Sequence, residues 1–136
     1  MSDDAEIIVR SVEWGDKDFV FSTWLRGQYW GSDYFLNMEQ DEYFADYAKR
    51  ITRYLTRPGT QVDCAVLKDD PEVVLGYIVY NDQHLFWSYT KRDFRKQGVL
   101  KLLLKNMDFE TYSGHTKVGL AIGRRRGMKF NPICEG

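Results

Sequence analysis

Cysteine, histidine and proline are scarce in this chain: two Cys, two His and three Pro among 136 residues. Cys64 and Cys134 have no partner at metal-binding spacing. His84 and His115 stand alone, with no CxxC or HxxxH pattern, so no residues of the sequence are assigned to a metal. So few cysteines make reduced thiols and a cytoplasmic location the default expectation. The opening "MSDDAEIIVR" starts with acids and lacks the basic start and apolar run of a signal peptide. No apolar stretch reaches the ~18 residues needed to span a bilayer, so no membrane partner is expected. Internal repeats and low-complexity tracts are absent as well.

What remains is a chain long enough for one domain, residues 1–136, with a sizeable core. Aromatic residues make up 15% of it, so large side chains fill much of that core. Charge is unevenly spread. Met1–Glu72 holds fifteen acidic and eight basic side chains, a balance of −7, whereas Val73–Gly136 holds five and eleven, a balance of +6. A basic half suits an anion, whether a phosphate-bearing cofactor, a nucleic acid or the acidic half of the chain itself.

"EIIVRSV" (Glu6–Val12) is rich in β-branched residues and predicts a strand. Gly15-Asp16 supplies a turn and a helix cap. Phe19, Val20, Thr23 and Trp24 follow on one helical stripe, which Gly27 and Gly31 break. Gly27–Phe35 therefore predicts a loop whose aromatics either plug the core or form a mobile lid. A second helix runs from a cap at Asn37 to the stop at Pro58-Gly59, with Phe44, Tyr47, Ala48, Ile51, Tyr54 and Leu55 on one face.

Three strands, Gln61–Lys68, Val73–Asn81 and His84–Thr90, are joined by the short links "DDPE" and "DQ" and should lie antiparallel. A buried helix, "VLKLLLKNMDF" (Val99–Phe109), follows Gly98, and "KVGLAI" (Lys117–Ile122) predicts a last strand. Because a helix separates it from His84–Thr90, those two strands should be parallel. "MKFNPI" can add one more strand.

The stretch "YTKRDFRKQGVLKLLLK" (Tyr89–Lys105) crowds six basic residues around Gly98 at a strand-to-helix turn. A helix start offers backbone N–H groups without internal partners and the positive end of the helix dipole. Glycine lets a bulky anion approach, and Arg and Lys add charge-assisted bonds. "RKQGVLK" (Arg95–Lys101) is thus either a pyrophosphate cradle or an ordinary solvated loop.

Arg95-Lys96-Gln97-Gly98-Val99-Leu100 resembles the Q/R-x-x-G-x-G/A pattern of the GNAT superfamily of acyl-CoA-dependent N-acyltransferases, matching at Arg95 and Gly98 and departing at Leu100. The order β, α, α, β, β, β, α, β over Glu6–Ile122 is similar too, and the short tail resembles compact members found in phage genomes. The resemblance implies an α/β (α+β) fold: a mixed, mostly antiparallel sheet with a central splayed pair of parallel strands, flanked by helices. It also implies acyl transfer, of acetyl above all, from acetyl-CoA to an amine on a protein, a small molecule or a nucleobase. The pantetheine arm would lie between the splayed strands against the backbone of Trp87, Ser88 and Tyr89. Arg95, Lys96, Gln97, Gly98, Val99, Leu100 and Lys101 would hold the pyrophosphate. Members of the family often protonate the leaving thiolate with a tyrosine near the C-terminus, whereas no tyrosine follows Tyr112 here.

Amine acylation needs a neutral nucleophile, hence a proton acceptor. By resemblance the family's base position falls on His84, whose imidazole has an ordinary pKa of about 6.5; the plainer alternative is a solvated turn histidine. Ser88 can bond to the thioester carbonyl or protonate the thiolate, or be an ordinary strand serine. Arg124-Arg125-Arg126 can meet the 3′-phosphate of coenzyme A or a nucleic acid, or be solvated. Trp30 and Tyr34 could then stack on bases. A binding or structural module that keeps the fold without the cofactor is the alternative that Leu100 and the short tail favour. A nucleic-acid-directed enzyme or binder is the other.

Overall fold

The computed structural model describes residues 6–95, 97–105, 107–113 and 125–130. Within them, six strands form one sheet in chain order: β1 (Ile7–Ser11), β2 (Gln61–Leu67), β3 (Asp70–Asn81), β4 (His84–Thr90), β5 (Thr111–Tyr112) and β6 (Lys129–Phe130). The first four are joined antiparallel, and β5 and β6 extend the sheet in parallel to β4. Three helices, α1 (Lys17–Trp30), α2 (Asp33–Leu36) and α3 (Gln40–Thr56), lie between β1 and β2, and α4 (Val99–Leu103) follows β4. No described helix is long and apolar enough to cross a membrane.

Alternation along the strands splits the core in two. Val62, Cys64 and Val66 of β2 point with Tyr77 and Val79 toward α1 and α3, where Val20, Trp24 and Ile51 meet them. Ala65, Leu75, Ile78 and Leu85 point the other way, toward Val99, Leu103 and Leu104. A third cluster, Tyr29, Phe35 and Tyr43, packs α1, α2 and α3 together. The predicted face of α3 is turned inward, with Tyr43 added to it and fully buried.

A fork ties the end of β1 to the start of α1. Arg10 donates from Nη1 and Nη2 to Asp16 Oδ2 and Oδ1 at 2.7 and 3.2 Å, and from Nη2 and Nε to the Pro71 carbonyl at 2.8 and 3.1 Å. Asp16 also accepts the Glu13 N–H at 2.8 Å. Its carboxylate therefore caps the turn before α1 rather than α1 itself.

Four more sequence expectations are corrected. Gly27 does not break α1, which continues through it to Trp30. The glycine is there because the Trp87 indole stands against the helix: a Cβ at Gly27 would lie 3.2 Å from Trp87 Cζ2. Asn37 closes α2, and α3 starts after Glu39. The link between β2 and β3 shrinks to Lys68-Asp69, since β3 already begins at Asp70. The helix after Gly98 stops at Leu103 rather than Phe109. Leu104 and Phe109 still fill the same core, but from beyond the helix, so the long apolar pattern reported burial and not helix. The predicted strand Lys117–Ile122 lies outside the described residues; within them, β4 finds its parallel partner in Thr111–Tyr112.

Candidate active site along the edge of β4

β4 is paired with β3 along its whole length. On its other side it meets β5 at only two positions, His84 with Thr111 and Leu85 with Tyr112, and the Ser113 N–H donates to the Leu85 carbonyl at 3.1 Å. Among the described residues no strand pairs with β4 on that side beyond this point. The pairing with β3 slips between Val79–Trp87 and Tyr80–Leu85, which leaves Phe86 as an extra residue, a bulge. As a result Phe86 and Trp87, adjacent in sequence, both enter the core under α1 and α3.

Trp87 is fixed there on three sides. Its ring stacks on Trp24 with centroids 6.1 Å apart and planes 6° apart, its edge abuts Gly27, and its Nε1–H donates to Tyr77 Oη at 3.1 Å. Tyr77 Oη donates to the Val20 carbonyl at 2.9 Å and lies 2.7 Å from Thr23 Oγ1. Tyr89 packs on the same face, against Phe19 and Tyr77. The side chain of Trp87 is thus occupied by α1, and what it offers a ligand at the strand edge is its backbone. Ser88, between Trp87 and Tyr89, alternates to the α4 side and is half-buried.

Beyond Thr90 the chain turns sharply. The Lys91 N–H donates to the Leu75 carbonyl at 2.7 Å, Arg95 Nε to the Thr90 carbonyl at 3.1 Å, and Gln97 Nε2 to the Asp93 carbonyl at 3.0 Å. Gly98 enters α4 with φ of +77°, a left-handed conformation that glycine adopts without strain. It is exposed, and nothing lies within 4 Å of where its Cβ would be. Arg92, Arg95 and Lys101 are exposed around it, whereas Lys96 lies outside the described residues. Val99 is buried and Leu100 packs against the same cluster on the α4 side.

His84 is not a solvated turn residue: it is 3% exposed. Its Nδ1 lies 2.6 Å from Thr111 Oγ1 and its Nε2 3.1 Å from Ser113 Oγ, and its ring meets Phe86 edge-on at 4.7 Å. Burial pulls its pKa down to about 4, so the ring is neutral at pH 7. Neither Thr111 nor Ser113 is singled out by the sequence. Their T-x-S spacing opposite a strand histidine is the one signal they leave, and it acquires meaning only once the register of β4 on β5 is known.

Of the second basic cluster, Arg126 is placed by its contacts. Arg126 Nη2 donates to the Leu104 and Met107 carbonyls, both at 3.4 Å, past the C-terminal end of α4. A cation at that end complements the helix dipole. Arg126 and the Gly98 turn therefore lie at opposite ends of α4; Arg125 is exposed, and Arg124 lies outside the described residues. Of the two aromatics expected to stack on bases, Trp30 is 60% exposed and packs edge-on against Tyr29.

Four antiparallel strands with helices between the first two, a bulge in β4, a parallel continuation beside it, and a basic glycine turn into a helix together define the architecture. YjaB of Escherichia coli, in its apo form, matches it with a TM-score of 0.62 at 18% identity, over 89% of this chain and 81% of its own. A Pyrococcus furiosus protein named as an acetyl transferase matches with a TM-score of 0.61 at 12% identity, over 92% of this chain and 79% of its own. The chain has the GNAT fold. The PaiA N-acetyltransferase of Thermoplasma acidophilum, in complex with coenzyme A, shares the GNAT architecture at a TM-score of 0.51 and 14% identity, over 90% of this chain and 75% of its own. No protein-family model and no curated protein sequence matches the chain. At these identities the GNAT likeness is one of fold.

Proposed function

We propose that the chain transfers an acyl group, acetyl in the first instance, from a coenzyme A thioester to an amine. The observation that carries this is the edge of β4 past Leu85, which no strand among the described residues pairs beyond β5, with the exposed Gly98 turn following the same strand. The PaiA protein of the same fold holds coenzyme A, which supports the choice of donor.

Coenzyme A supplies the acyl group as a thioester, already activated toward an amine, so the protein's task is chiefly alignment. The backbone of Trp87, Ser88 and Tyr89 would hold the pantetheine arm along the edge of β4. Arg95, Lys96, Gln97, Gly98, Val99, Leu100 and Lys101 form the turn assigned to the pyrophosphate. The residues fit that assignment: Gly98 has open space before it, and exposed cations flank it. Leu100 is larger than the Gly or Ala of the pattern, but its side chain rests on the protein core. Ser88 is the hydroxyl nearest in sequence to this edge and is assigned to the thioester carbonyl or the leaving sulfur. The acceptor is an amine on a protein, a small molecule or a nucleobase.

Calorimetric titration with acetyl-CoA and coenzyme A, followed by mass spectrometry of a panel of amines, tests the proposal. Saturable heat and acetylated product are expected. An absence of heat at millimolar coenzyme A would remove the donor. Binding without transfer to any acceptor would favour the second reading, a non-catalytic module on the same fold. Arg126 is committed to backbone carbonyls past the C-terminal end of α4, and a nucleic-acid partner gains no support from it.

A further inference from the structure

Thr111, His84 and Ser113 form a row of hydrogen bonds across the last place, among the described residues, where β4 and β5 are joined. The protons of this row can be counted. Ser113 Oγ–H donates to the Phe86 carbonyl at 3.3 Å. With the one Ser113 proton on that carbonyl, as the proposal below takes it, Ser113 Oγ is the acceptor toward His84. The ring therefore carries its proton on Nε2, pointing at Ser113 3.1 Å away. Nδ1 is left with a lone pair, and Thr111 Oγ1–H donates to it at 2.6 Å. The row runs one way, from Thr111 through His84 and Ser113 to the carbonyl of Phe86.

Its end point matters. Phe86 is the bulge residue of β4, where the strand bends out of register with β3. Ser113 grips two successive carbonyls of β4, Leu85 through its backbone N–H and Phe86 through its hydroxyl. The side chain thus continues the junction one step past the backbone ladder, and His84 orients the hydroxyl that does so.

We propose that His84, acting through Ser113, holds the bulge at Phe86 against the end of β5, and so positions the edge of β4 for its ligand; it is a positioning residue rather than the proton acceptor. The lock itself is independent of the acyl-transfer reading, and only the identity of the ligand rests on that reading. A general base needs a lone pair free to face the acceptor, and here the Nδ1 lone pair faces Thr111.

The first test is nitrogen NMR on the full chain with labelled histidine, using His84→Gln to assign the ring. A neutral Nε2–H tautomer at pH 7, still untitrated at pH 5, is expected. An Nδ1–H tautomer, or titration near the ordinary value, overturns the proposal whether or not coenzyme A binds. The second test uses Ser113→Ala and Ser113→Thr in calorimetry with coenzyme A and in acyl transfer. Ser113→Ala should weaken coenzyme A binding about tenfold, the equivalent of one hydrogen bond. Ser113→Thr, which keeps the hydroxyl, should restore it, and the pH profile of kcat should keep its shape in both. A general base predicts the opposite split for His84→Gln: kcat reduced ~10²–10⁴-fold, binding unchanged and the pH-dependent limb lost. That outcome overturns the positioning role. If the wild type binds no coenzyme A, the donor assignment fails, and the tautomer still decides the lock.

Discussion

The indole N–H of Trp87 donates to the hydroxyl of Tyr77 at 3.1 Å, and through that oxygen β4 is fastened to α1. Tyr77 has 0% exposure and passes its own proton to the Val20 carbonyl, with Thr23 Oγ1 at 2.7 Å. One hydroxyl thus satisfies groups from two elements. Burial raises its pKa far above the ordinary tyrosine value, so it stays a phenol and a donor.

Tyr77→Phe keeps the ring and removes only this oxygen. The Trp87 N–H then loses its partner inside the core. A loss of about 1–3 kcal/mol is expected, read as a lower urea midpoint. The edge of β4 carries Trp87 and Tyr89, so coenzyme A binding should weaken with it. A Tyr77→Phe chain as stable as the wild type would show that Trp87 holds its place by stacking on Trp24 alone.

Gly27 gives the second prediction. At an open helix position Gly→Ala adds about 1 kcal/mol of stability. Here the new Cβ would sit 3.2 Å from Trp87 Cζ2. Trp87 has little freedom to retreat, since Trp24 stacks on its face and Tyr77 holds its nitrogen. Gly27→Ala should therefore lower the urea midpoint, and Gly27→Val should lower it further. A midpoint that rises for Gly27→Ala would mean that the indole gives way freely.

The contrast between Gly27 and β4 shows what can be read from sequence. β4 is found with both bounds correct, because a polar turn at Asp82-Gln83 and a run of β-branched and aromatic residues are local signals. The inward face of α3 is legible for the same reason. Gly27 looks like a helix breaker because the indole that needs its missing Cβ comes from sixty residues further along the chain. The bulge at Phe86 is a property of two strands in register, and neither strand alone encodes it visibly. The Arg95–Lys101 turn is legible as a motif, whereas Thr111 and Ser113 become part of the site only because α4 ends at Leu103 and lets them reach β4.

Acid should destabilise the fold in two separate windows. The pKa of His84 is lowered by burial to about 4 from an unfolded value of about 6.5. Between these values the unfolded chain binds the proton and the folded chain does not, so stability is full above the unfolded value and falls as pH drops toward 4. Asp16 is held below the usual carboxylate range, first by its hydrogen bond from Arg10. Its contribution is present above about 3.9 and is lost only as pH falls further. Urea midpoints measured from pH 7 to pH 2 should show both slopes. His84→Gln should remove the upper one and Asp16→Asn the lower. An unchanged slope between pH 6.5 and 4 in His84→Gln would show that this histidine titrates alike in both states.

The last prediction separates the backbone at Gly98 from its charge. Coenzyme A at a hundredfold over its Kd should stabilise the wild type by about 2.7 kcal/mol, visible as a rise in Tm. Any replacement at Gly98 must accept a φ of +77°. Asn and Asp tolerate that region better than other residues and are nearly the same size. Gly98→Asn and Gly98→Asp therefore make a matched pair that differs by one negative charge. If the turn receives the pyrophosphate, Gly98→Asp should abolish the rise in Tm by repulsion, while Gly98→Asn keeps part of it. Loss in both, with the wild type still binding, would mean that the ligand needs the bare backbone and that even a neutral side chain blocks its approach. Retention in both would move the anion away from this turn and leave the exposed Arg92, Arg95 and Lys101 without the role assigned to them.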